Sequence, residues 1–267
     1  MREKEVLHLV PKPQRAALTG GVCRADASVT KERRTLPDGA ESYVLEILPE
    51  EIRMTGEEAG LFYAERTLEQ LRVQFPGEIP CLRIEDAPRF PHRGFMLDSA
   101  RHFLPEPDVM TLIDAASYFK LNRFHWHLVD DQGWRIESER YPRLHGTGSV
   151  RSGSDFGIEE PPQKNASGGA EYRGCYTKAQ IRRIVRFAAE RNVEIIPEIE
   201  IPGHETAAIA AYPELGCTGQ AVPVETRPGI FAELICVGRE ECFTFLTEVL
   251  TEILELFPGK LVHIGGG

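Results

Sequence analysis

Apolar positions follow two different rhythms along this chain, and the change falls near residue 90. Before it, Tyr43-Val44-Leu45-Glu46-Ile47-Leu48 and Glu51-Ile52-Arg53-Met54 predict two strands around a Pro49-Glu50 turn. Leu61, Ala64, Leu68, Leu71 and Phe75 then recur at helical spacing, on a helix that Pro76-Gly77 stops. Residues 1–88 therefore read as a small α+β domain. Its end is Asp86-Ala87-Pro88-Arg89-Phe90-Pro91, where two prolines in four residues disfavour both helix and sheet.

Over residues 89–267 short apolar strands alternate with amphipathic helices. Gly94-Phe95-Met96-Leu97-Asp98 is a strand, and Pro107 opens a helix carrying Val109, Leu112, Ile113, Ala116 and Phe119. Arg123 to Val129 is a second strand. Thr177-Lys178-Ala179-Gln180 has capping-box spacing and starts a helix through Ile181, Ile184, Val185 and Ala188. Val193 to Glu198 is a third strand. A helix through Phe243, Leu246, Leu250, Ile253 and Phe257 ends at Pro258-Gly259, and Leu261-Val262-His263-Ile264 is a fourth strand. Such alternation predicts parallel β/α units in a (β/α) barrel or an open α/β sheet, with a functional rim where polar residues follow each strand. Gly146 to Gly174, rich in Gly, Ser and Pro, reads as a long loop beside that rim.

Charge narrows the function. The 267 residues hold 31 basic and 41 acidic side chains, a net charge of −10, which argues against a nucleic-acid partner. No stretch approaches the roughly 20 apolar residues of a membrane span, and Met1 to Leu7 lacks a signal-like apolar core. Six cysteines without a C-x-x-C pair predict reduced thiols and a cytoplasmic location.

Three strand ends carry candidate chemistry. Asp98 and Arg101 follow the first; a guanidinium fork there suits paired hydroxyls or a carboxylate. Asp130-Asp131-Gln132-Gly133-Trp134 follows the second: adjacent carboxylates need donors, and Trp134 is either an aromatic wall for a sugar ring or core. Glu198, Glu200 and His204 follow the third, with Pro202-Gly203 turning His204 back over the rim. His125 and His127 share a strand face and, with His204, form a candidate zinc set for a metal-dependent hydrolase. No serine elbow, P-loop or dinucleotide fingerprint is present.

Taken together, five ordered motifs resemble the glycoside hydrolase family 20 β-N-acetylhexosaminidases. They are Phe90-Pro91-His92-Arg93-Gly94 with Leu97 to Phe103; Lys120-Leu121-Asn122 through Trp134; Tyr176 to Ile181; Pro197 to His204; and Val262-His263-Ile264-Gly265-Gly266. The resemblance implies a fold: the first four strands of a (β/α)8 TIM barrel, preceded by a shortened α+β domain. It also implies an activity, exo-acting retaining hydrolysis of terminal β-linked N-acetylglucosamine or N-acetylgalactosamine in glycosides or glycoconjugates. The substrate's own acetamido oxygen is the nucleophile, and no cofactor is involved.

By position, Arg101 matches the family arginine that grips the ring hydroxyls. Asp130 and His204 match the pair that tunes the acid, and Glu200 stands where the family usually has Asp behind that pair. The family motif His-x-Gly-Gly-Asp-Glu meets Gly267 at its Asp position. The chain is therefore expected to be an N-terminal portion of such an enzyme, inactive by itself, with open barrel edges that favour self-association. A non-catalytic sugar-binding remnant using Arg101, Asp130 and Trp134 is the alternative from another class.

Overall fold

The structure, a computed structural model, describes residues 7–154 and 171–266. Residues 155–170 of the expected loop, the start of the chain and Gly267 lie outside that range. The chain divides into two compact units, Met1–Arg93 with Asp114–Asn122, and Gly94–Ile113 with Arg123–Gly267.

In the first unit, strands β1 (Arg15–Arg24), β2 (Ser28–Arg33), β3 (Tyr43–Ile47), β4 (Glu51–Gly56) and β5 (Glu78–Asp86) form one sheet in the order β1-β5-β3-β4-β2. Pairing is antiparallel except for β2 with β4. Helix α1 (Glu58–Gln74) lays Leu61, Ala64, Leu68 and Leu71 into one core with Leu45, Ile47, Ile52, Met54, Ile79 and Ile84. Burying each of these Leu, Ile and Met side chains contributes about 1.5–3 kcal/mol. The β3–β4 hairpin and α1 are as predicted. Strands β1 and β2 escape prediction because they are almost wholly exposed and show no apolar alternation.

The second unit is built on β6 (Gly94–Asp98), β7 (Arg123–His127), β12 (Glu194–Ile201) and β13 (His263–Gly265), all parallel. Between them run α2 (Glu106–Tyr118), the hairpin β8 (Val129–Asp130) and β9 (Gly133–Trp134), α3 (Pro142–Gly146), and the ribbon β10 (Val150–Arg151) and β11 (Tyr172–Arg173). Helices α4 (Lys178–Ala189), α5 (Thr206–Ala211) and α6 (Glu240–Leu256) complete it. The four strands lie in sequence order, β6-β7-β12-β13. An open doubly wound sheet would reverse direction at a switch point; successive barrel strands do not, so the order selects the barrel arrangement.

The core collects Phe124 and Trp126 from β7, Ile181 and Ile184 from α4, and Phe245, Val249 and Ile253 from α6. The capping box forms as predicted: Gln180 N–H donates to Thr177 Oγ1 at 3.2 Å, and Thr177 N–H to Gln180 Oε1 at 2.8 Å. Trp134 is core rather than a sugar platform. It is buried in the same cluster, and its indole N–H donates to Ile136 O at 2.8 Å.

Candidate active site

Register assembles the site. Asp98 of β6 stands opposite His127 of β7, His127 opposite Glu198 of β12, and Glu198 opposite His263 of β13. One polar residue from each strand therefore lies in a single row at the C-terminal end of the sheet, where β/α folds place their chemistry. His125 and Glu200 lie two residues away from this row on the same strand faces.

Arg101 is held on three sides. Its Nη1 donates to Asp98 Oδ2 at 2.9 Å, Nη2 reaches Asp130 Oδ2 at 2.6 Å, and Nε donates to Gln132 Oε1 at 3.0 Å. Burial opposes its charge, but Asp130 and Asp98 outweigh burial and raise its pKa. A guanidinium fixed in this way is preorganised for a hydroxyl-rich ligand.

His127 bridges two carboxylates. Nε2 lies 2.8 Å from Asp130 Oδ2, and Nδ1 contacts Glu198 Oε2. Burial lowers its pKa, while hydrogen bonds to Asp130 and Glu198 raise it more strongly, to about 9. The ring is thus an imidazolium at neutral pH, donating from both nitrogens. Glu198 also meets His125 Nε2 at 2.7 Å and His263 Nδ1 at 2.8 Å, and despite burial its pKa is lowered by His127 and His125.

His204, at φ 54°, turns its Nδ1 to Asp131 Oδ2 at 2.8 Å, with Asp130 Oδ1 farther off at 3.5 Å. Asp131 Oδ1 also accepts from Thr206 Oγ1 and N–H, at 2.6 and 3.1 Å. Asp131 is therefore the direct partner of His204, and Asp130 the partner of Arg101 and His127. Sequence position alone did not separate the two neighbours. Glu200 is brought beside His127, with 3.8 Å between Oε1 and Nδ1, rather than against His204.

Two scaffold arginines went unnoticed in the sequence because no local pattern marks them. Arg135 is fully buried and donates to the carbonyls of Ser99, Ala100, Gln132, Ser149 and Gly174; burial and Arg151 push its pKa down to about 10. Arg151 donates to the carbonyls of Gln132 and Arg101. Together they tie the rim loops to one another. Gly133 is required here, since a Cβ would sit 2.1 Å from the Arg135 guanidinium.

Carboxyls are in excess. Glu200 Oε2 and both oxygens of Glu205 are buried with no hydrogen-bond partner. Burial raises the pKa of Glu200, with Glu198 adding to the effect. Burial and then Asp131 raise that of Glu205 well above its ordinary value. Three groups offer cation-ligand atoms within 4.8 Å of one another: His125–Glu198–His263, His127–Asp130–Glu200 and Asp130–Asp131–His204. The zinc set considered from sequence is not assembled among the described residues: His125, His127 and His204 fall in three separate groups.

The profile of glycosyl hydrolase family 20, catalytic domain, matches residues 90–267, and that of its domain 2 matches residues 7–87. The chain belongs to glycosyl hydrolase family 20. Among curated family members it is 42% identical over 245 residues to a beta-hexosaminidase of Porphyromonas gingivalis, covering 86% of this chain and 29% of that protein. A crystal structure of a beta-N-acetylhexosaminidase superposes with a TM-score of 0.87 at 34% identity, over 97% of this chain and 54% of that one. A family 20 exo beta-N-acetylglucosaminidase from Vibrio harveyi, solved in complex with N-acetylglucosamine, gives 0.81 at 31% identity, over 96% and 46%. The chain thus spans about a third to a half of the length of these family members. Among the described residues no helix is long and apolar enough to cross a membrane.

Proposed function

We propose that these residues form the sugar-gripping and acid-positioning half of a site for exo-acting, retaining hydrolysis of terminal β-linked N-acetylglucosamine or N-acetylgalactosamine. The observation that carries this reading is the fixed Arg101 fork beside the Asp131–His204 pair at one rim. Arg101 takes the ring hydroxyls. His204, oriented by Asp131 and flanked by Asp130, sets the proton affinity of an acid placed next to it, with Glu200 a further buried charge in the same pocket. The substrate's acetamido oxygen attacks C1, so the protein supplies no nucleophile. An N-acetylglucosamine complex of a relative supports the amino-sugar class.

On this reading residues 1–267 alone are expected to give no turnover, since the proton donor beside His204 is not among them. General acid catalysis alone is worth about 10²–10⁴-fold. The test uses p-nitrophenyl N-acetyl-β-glucosaminide. The 267-residue chain should release no more nitrophenol than its Arg101→Ala variant. Joined to the remaining barrel half of the Porphyromonas gingivalis relative it should turn over, and Arg101→Ala in that chimera should lose most kcat/KM. Turnover by the short chain, or indifference of the chimera to Arg101, overturns the reading. The half-exposed Met96 on β6 and Ile264 on β13 favour self-association at these edges. Sedimentation showing a concentration-independent monomer would count against that part.

A further inference from the structure

Two histidines converge on Glu198 that the sugar chemistry does not use. His125 of β7 brings its Nε2 to 2.7 Å from Glu198 Oε2, and His263 of β13 brings its Nδ1 to 2.8 Å from Glu198 Oε1. Their rings stack, with centroids 4.7 Å apart and planes inclined by 28°. One ligand-type atom from each of the three residues lies within 4.8 Å of the other two. Three neighbouring parallel strands, β7, β12 and β13, thus contribute one such atom apiece.

The bonding around this trio points to a cation. Gly265 N–H donates to His263 Nδ1 at 3.0 Å, which puts a lone pair on that nitrogen. Nδ1 and Glu198 Oε1 are then two acceptors at hydrogen-bond distance, an arrangement that a shared cation relieves. Among the described residues Glu198 pairs with no Lys or Arg; its ionic partners are His125, His127 and His263. The other two groups are already served. Both contain Asp130, and Arg101 Nη2 stands 2.6 Å from Asp130 Oδ2, so a metal ion there meets a fixed guanidinium. Negative charge is also in surplus beside the trio. Glu200 Oε2 is buried without a partner and lies against Gly265, on the same strand as His263.

We propose that His125 Nε2, the Glu198 carboxylate and His263 Nδ1 bind one zinc-class divalent ion, which staples the edge strand β13 to β12 and β7. Two imidazoles with one carboxylate form a donor set that suits Zn²⁺ and its transition-metal neighbours over Mg²⁺ and Ca²⁺. On binding, the ion takes the Nδ1 lone pair over from the Gly265 N–H and displaces any proton held between the histidines and Glu198. Strand β13 is only three residues long and exposed throughout, so a bond to His263 acts where the sheet is weakest. Through His127 the same carboxylate reaches Asp130, so the ion also braces the row behind Arg101.

Metal titration of the folded chain tests this without any turnover. After treatment with a chelator, the chain is titrated with zinc chloride in a calorimeter and with cobalt(II) chloride in a spectrophotometer. One ion should bind per chain, cobalt should give the visible bands of nitrogen and oxygen ligation, and zinc should raise Tm by several degrees. His125→Ala and His263→Ala should each weaken zinc binding by at least about 10-fold, since even outer-shell changes cost that much. His204→Ala, in the group around Asp131, should leave it unchanged. Independently of any variant, zinc should shift the ring-nitrogen resonances of His125 and His263 in a histidine-labelled chain and leave those of His204 in place. Absence of stoichiometric binding, an affinity indifferent to both His125→Ala and His263→Ala, or shifts confined to His204 would overturn the proposal.

Discussion

Each unit of the chain buries a cluster of charged side chains, and the two clusters are built to opposite standards. In the first unit Glu41 accepts from Arg93 at 3.0 Å, from Tyr63 at 3.0 Å and from Asn122 at 3.1 Å. Asp86 Oδ2 accepts from Lys120 and Tyr43, both at 3.0 Å. Two acids meet two bases there. At the barrel rim Asp98, Asp130, Asp131, Glu198, Glu200 and Glu205 crowd around Arg101 and His127, and three of their oxygens find no partner. A satisfied network specifies a packing arrangement; an acid-rich one holds strained proton affinities ready for use. The contrast separates buried charge kept for architecture from buried charge kept for chemistry.

The largest expected effect tests the architectural cluster. Lys120→Ala leaves Asp86 buried without its cation and should cost about 3–5 kcal/mol in urea unfolding; a loss below about 1 kcal/mol would mean that the pairing is dispensable. At the rim, His127 has a folded pKa near 9 against an ordinary value of 6.5. Because it is raised, the stabilisation is complete below about 6.5 and is lost as pH climbs through 9, amounting to about 3 kcal/mol. His127→Gln should flatten that pH dependence, and an unchanged slope would remove the imidazolium from the account.

Glu205 provides the finer probe. Its pKa is raised by burial and by Asp131, so the native state keeps a proton that the unfolded chain releases above about 4.5. Stability should decline as pH rises from there, and Glu205→Gln should lift the urea midpoint more at pH 8 than at pH 5. A variant that is equally shifted at both values would show that the carboxyl is already paired. Smallest of all is the surface pair Arg140–Glu248, 3.1 Å apart and partly exposed, whose removal should change stability by about 0–1 kcal/mol.

Much of this was readable from the chain and some was not, for reasons of range. β7 was legible from the alternation that buries Phe124 and Trp126 and ends in His127, and β12 from the apolar run Ile195-Ile196-Pro197 that leads into Glu198. α4 was legible because its start signal is local, with Thr177 and Gln180 three residues apart. β13 begins two residues later than the apolar pattern suggested, with Leu261 left half-exposed outside it. The roles of Asp130 and Asp131 were not legible. They are adjacent in sequence, and only the β8–β9 hairpin decides which faces His204 and which faces Arg101. Glu198 as the meeting point of three histidines likewise depends on register between strands far apart in the chain.

The strand order has a consequence for how this sheet comes into being. Each parallel strand pairs with its predecessor in the chain: β7 with β6, β12 with β7, β13 with β12. During synthesis every newly delivered β/α unit finds its docking edge already laid down, with no later segment needed in between. Parallel pairing demands long loop closures and is slow to nucleate, and sequential addition replaces one large closure by several small ones. The same order leaves a growing edge uncovered until the next unit arrives, so the pace of translation sets how long each intermediate stays open to wrong partners.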